Sequence, residues 1–100
     1  MIYNKLVRDR IPEIIESKGG TCQTRILSDE EYAQKLDQKL SEELAEYLES
    51  HSPEERADLL EVIYACAALQ ELTPADLERI RAQKAEKRGG FKNKILLIES

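Results

Sequence analysis

A chain of 100 residues, 41% hydrophobic and 35% charged, has room for one small core and is too apolar to be disordered. Its net charge of −5 excludes a general nucleic-acid surface, which must be basic. Without Trp, and with one Phe and four Tyr, the core must come from Leu, Ile, Val and Ala. Small helical chains of this kind gain stability by oligomerising, so a homodimer or homotetramer is expected. Cys22 and Cys66 are too few and too scattered for a disulfide framework or a zinc site. No apolar run is long enough to span a membrane and no signal-peptide core opens the chain, so a cytoplasmic protein is expected.

In chain order, IPEIIESK reads as a short helix with Pro12 in its first turn, ended by Gly19 and Gly20. TCQTRILS, rich in β-favouring residues, predicts a short strand. Ser28 with Glu31 three residues on forms a capping box and predicts a helix running to about Glu49. Ser52, Pro53 and Glu55 repeat the signal for a second long helix to about Leu72. Thr73-Pro74-Ala75-Asp76 starts a third helix, to about Arg88, with Gly89 and Gly90 as its stop. Ile95 to Ile98, ILLI, predicts a second strand. The expected fold is therefore mainly α: one domain over residues 1–100, with an antiparallel helical hairpin, a third helix and a small β element.

Charge is segregated along this framework. Acids dominate between Ser28 and Glu61, whereas between Arg79 and Lys94 the seven bases Arg79, Arg81, Lys84, Lys87, Arg88, Lys92 and Lys94 are opposed only by Glu86. Lys5, Arg8 and Arg10 make the opening segment basic too. On a wheel of about 100° per residue, Leu36, Leu40, Leu44, Tyr47, Ala33 and Tyr32 define the buried stripe of the first long helix. Glu43 falls about 60° from its centre, Glu46 on its edge, and Glu42 and Glu49 on the far side. In the second, Asp58 continues the face of Val62, Ala65 and Leu69, flanked by Glu55 and Glu61. Past Glu61 that helix is apolar nearly all round, which a partner subunit would cover.

Glu43/Glu46 and Glu55/Asp58 are i, i+3 pairs at facing ends of the hairpin, so they should converge. Crowded, partly buried carboxylates repel one another unless a cation neutralises them. An all-oxygen donor set without His or Cys favours a hard ion, magnesium or manganese. The bland account is that acids near a helix start complement its dipole, which suffices for Glu54. It does not explain two pairs with Glu43 and Asp58 on apolar faces.

EELAE, Glu42–Glu46, followed by ERAD, Glu55–Asp58, resembles the EExxE…ExxD motif of the all-α nucleoside triphosphate pyrophosphohydrolases, the MazG-like superfamily. YNKLVRDRIPEII and KAEKRGGFKNKILL are similar to the smaller phosphoribosyl-ATP pyrophosphohydrolase-like, house-cleaning members. The resemblance implies hydrolysis of a non-standard or surplus nucleoside triphosphate to a monophosphate and pyrophosphate. Glu43, Glu46, Glu55 and Asp58 would be magnesium ligands, with Glu42 near the metal or its water. Glu46 or Glu42 would take a proton from the attacking water. Cations for the phosphates would come from Lys5, Arg8, Arg10, Lys84, Lys87 and Arg88, with the backbone of Gly89 close by. Lys84, Lys87 and Arg88 share one helix face, though cations there also suit the helix dipole, and Gly89 also suits a C-cap. Tyr32, Tyr47 and Phe91 are candidates for stacking a base, and His51 is expected in solvent. Competing expectations are a phosphoribosyl-ATP or dUTPase-like diphosphatase and a non-catalytic helical dimerisation module.

Overall fold

The computed structural model describes residues 4–100, so Tyr3 of the opening motif lies outside the described residues. Four helices follow one another: α1, Ile11–Ser17; α2, Asp29–Ser50; α3, Pro53–Leu69; α4, Pro74–Arg88. The fold is thus mainly helical, as expected.

Each boundary has a local cause. The Ser28 hydroxyl accepts from the Glu31 N–H while the Glu31 carboxylate accepts from the Ser28 N–H, closing the capping box of α2. Ser52 caps α3 by accepting from the Glu55 N–H at 3.1 Å, with Pro53 as the first helical residue. Thr73 and Asp76 form a second capping box at the start of α4. α3 ends at Leu69, three residues before the expected Leu72, because Glu71 turns left-handed at φ 61° and the Leu72 N–H returns to the Ala67 carbonyl at 3.0 Å. Gly89, at φ 81° and ψ 177°, ends α4 in a conformation open essentially to glycine alone.

A two-residue turn joins α2 to α3. His51 takes the left-handed conformation at φ 54° and returns its N–H to the Tyr47 carbonyl at 2.7 Å. Its ring meets the Tyr47 ring edge-on, 5.2 Å between centroids, and the Arg56 guanidinium lies over Tyr47 at 5.3 Å. These contacts clasp the turn. His51 is exposed, as expected.

α2 and α3 pack extensively, α4 touches α3 only lightly, and α1 has no comparable packing with another helix. Among the described residues the buried apolar core is Leu36, Val62 and Ala67. Leu44, assigned to the buried stripe of α2, is 45% exposed, because no element covers that side. Leu48, Leu60, Leu69 and Ile80 are similarly bare. The Cα radius of gyration is 17.6 Å, whereas a compact domain of this length is expected at about 13 Å.

The expected β element is a correction. Among the described residues there is no strand, and both TCQTRILS and ILLI are irregular. A strand is stabilised by hydrogen bonds to a neighbour, and among the described residues these two segments do not pair with each other or with any edge. Ile95 to Ile98 accordingly remain 78–86% exposed. Cys22 and Cys66 are free thiols. No helix of the described residues is long and apolar enough to cross a membrane.

Candidate metal centre

The hairpin turn places the second half of α2 beside the first turns of α3. Glu43, Glu55 and Asp58 meet there, each offering a carboxylate oxygen within 4.8 Å of the other two. Glu43 is buried, at 7% exposure, whereas Glu55 and Asp58 are half-buried. One oxygen of Glu43 and one of Glu55, both Oε2, are buried without a hydrogen-bond partner. Buried carboxylate oxygens are nearly always satisfied, so two unpartnered ones in a single cluster are unusual.

The electrostatics agree with the geometry. Burial above all, then the adjacent Glu46, raises the Glu43 carboxyl above its usual range; Lys39 pulls it down and Asp58 pushes it up further. The Glu55 carboxyl is also raised, by desolvation first and then by Glu46 and Asp58. Like charges held close in a poorly solvated place favour the protonated form.

Of the four ligands expected, three converge. Glu46 is exposed and stands at the rim, close enough to act on both Glu43 and Glu55. Glu42 is not among the converging carboxylates, in line with its place on the wheel, and one of its oxygens lies 3.7 Å from Lys39 Nζ.

Among the described residues, two cations reach the cluster. Arg8 Nη2 donates to Asp58 Oδ1 at 2.7 Å across 50 residues of sequence, and Lys39 Nζ lies 3.5 Å from Glu43 Oε1. Arg8 was a phosphate candidate, and here it engages a carboxylate. The role of Lys39 was missed from sequence, although it lies four residues before Glu43, the spacing at which helical side chains meet. The other basic candidates are not brought in: Lys5, Arg10, Lys84, Lys87 and Arg88 are exposed and form no ion pair among the described residues. Gly89 serves as the C-cap of α4. Tyr32 and Tyr47 are half-buried on α2, and Phe91 is exposed.

No family model matches the chain, and no solved structure matches it. The chain is similar to a protein of Mycolicibacterium smegmatis (strain ATCC 700084 / mc(2)155) described as uncharacterized, with 60% identity over 42 residues. That match spans 42% of this chain and 43% of the relative, less than half of either.

Proposed function

We propose that this protein hydrolyses a nucleoside triphosphate to the monophosphate and pyrophosphate, using magnesium or manganese held by Glu43, Glu55 and Asp58. The observation that supports this reading is the pair of orphaned Oε2 atoms on Glu43 and Glu55, within a three-carboxylate cluster. The donor set fits a hard divalent cation: all oxygen, acidic and partly buried. The EExxE…ExxD spacing, which resembles that of the MazG-like superfamily, supports the reading.

A divalent ion held by these carboxylates would supply positive charge for the triphosphate and help activate water. The chain does the rest. Glu43, fixed by its burial on α2, and Glu55, held in the first turn of α3 by the Ser52 cap, would hold the ion together with Asp58. Exposed Glu46, beside both, is placed to accept the proton of a water attacking the α-phosphorus. The α–β bridging oxygen then leaves with pyrophosphate, its charge met by basic side chains, among which Arg8 is already at the cluster.

Release of pyrophosphate from a panel of standard and modified nucleoside triphosphates tests the reading. Turnover is expected with magnesium or manganese and none with chelator. The panel also separates a general pyrophosphohydrolase from a phosphoribosyl-ATP or dUTPase-like enzyme. No turnover on any substrate, with no ion binding, would end the metalloenzyme reading.

The ion pairs Arg8–Asp58 and Lys39–Glu43 favour a second reading, a non-catalytic helical module whose acids are balanced internally. Under it, magnesium changes neither stability nor activity.

Oligomerisation belongs to the proposal in either case. The bare Leu44, Leu48, Leu60 and Leu69 on the hairpin, with Ile80 on α4, are apolar surface for a second copy to cover. Light scattering after gel filtration should give at least twice the 11.5 kDa chain mass. A monomer at micromolar concentration would refute this.

A further inference from the structure

Before α1, residues 4–10 run without helix or strand, yet side-chain contacts tie them to the hairpin at two points. Lys35 Nζ, on α2, donates to the Asn4 carbonyl at 3.4 Å, and Arg8 donates to Asp58, on α3, at 2.7 Å. Lys35, Lys39 and Glu43 follow one another at i, i+4 and i+8, so they share one line of α2 that leads towards the carboxylates. The segment thus bridges both arms of the hairpin beside the cluster. It has little packing of its own: Leu6 is half-buried, while Lys5, Val7, Arg8 and Asp9 are exposed.

From this arrangement we propose that residues 4–10 form a displaceable strap, in which Arg8 stands in for a divalent cation on Asp58 and yields it when the ion binds. The proposal rests on the metal site proposed above. Arg8 and an ion compete for Asp58 because its single negative charge cannot serve both at full strength, and their positive charges repel. The pair is exposed on both sides, so it is weak enough to exchange. Lys39 is different: it lies on the same helix as its partners and stays beside them. A released Arg8 keeps a planar fork of donors next to the ion, the geometry that binds phosphate oxygens in pairs. The same side chain then serves the empty site as counter-ion and the loaded site as anion clamp.

Calorimetric titration of manganese alone into the wild type, Arg8→Gln and Lys35→Gln tests the competition, with exposed Lys18→Gln as a control for lost charge. Arg8→Gln should bind manganese about threefold tighter, the scale expected for removing an exposed ion pair. Lys35→Gln should show a smaller gain, and Lys18→Gln none. With saturating magnesium, Arg8→Gln should bind inorganic pyrophosphate about tenfold more weakly, as expected for losing a hydrogen-bonded charge. In the wild type, the Arg8 Nε–H resonance should shift as magnesium fills the site. Equal manganese affinity in wild type and Arg8→Gln, an equal gain in Lys18→Gln, or an unmoved Arg8 resonance overturns the strap while leaving the metal site standing. Absence of manganese binding in all four proteins overturns both.

Discussion

Asp58→Asn is expected to lower pyrophosphate release by more than about a hundredfold, since even groups that only orient metal ligands account for about 10- to 100-fold. The substitution keeps the shape of the side chain and removes the charge that an ion needs. It leaves the fold alone, because Asp58 is half-buried in the second turn of α3 and caps nothing. What it breaks in the ion-free protein is the exposed pair with Arg8, worth about 0–1 kcal/mol. Helicity by circular dichroism should therefore match the wild type while turnover and manganese affinity collapse together. Glu42→Gln is the contrast: its carboxylate stands outside the three-carboxylate cluster, so activity should fall by less than about tenfold. Full turnover in Asp58→Asn would remove this residue from the site and take the proposed chemistry with it.

The start of every long helix was legible because caps are written locally. Ser28 with Glu31, Ser52 with Pro53, and Thr73 with Asp76 each satisfy their own backbone donors within four residues. The burial of Glu43 was equally legible, since a 3.6-residue period fixes which residues share a face with Leu36. Leu44 shows where that logic stops. A wheel tells which residues lie together, but exposure depends on whether another element arrives to cover them. The two strands failed for a related reason: ILLI has the residues of a strand, but nothing in the sequence supplies its partner. Arg8 meets Asp58 through a loop that crosses the hairpin, and neither period nor spacing encodes a contact over 50 residues. Sequence suggested a cation for phosphate at that position; the fold turned the same charge onto the acids.

Glu43→Gln should do two opposite things, and their combination distinguishes a metal site from an ordinary acidic surface. In the ion-free protein it should stabilise. Glu43 brings a buried charge with one orphaned oxygen, and its cation, Lys39, stands 3.5 Å away and is shared with Glu42. A neutral amide of the same size removes most of that cost, so stability should rise by about 1 kcal/mol. For a domain of this size that is a gain of about 4–8 °C in Tm. The pH dependence has a fixed sign. Burial raises the folded-state Glu43 carboxyl above its ordinary value of 4.5, so the folded chain holds this proton more tightly than the unfolded chain does. Its contribution is therefore fully present below 4.5 and is lost as pH rises through the raised folded value. Melting curves in chelator should show the wild type weakening across that window and Glu43→Gln weakening less, with Glu55 supplying the remainder. With manganese at about 100 times its dissociation constant, the wild type should gain about 2.7 kcal/mol and the variant far less. The order of stabilities then inverts between chelator and ion. If Glu43→Gln instead destabilises the ion-free protein, Lys39 already satisfies the buried carboxylate, and the acids of this hairpin have no need of a metal.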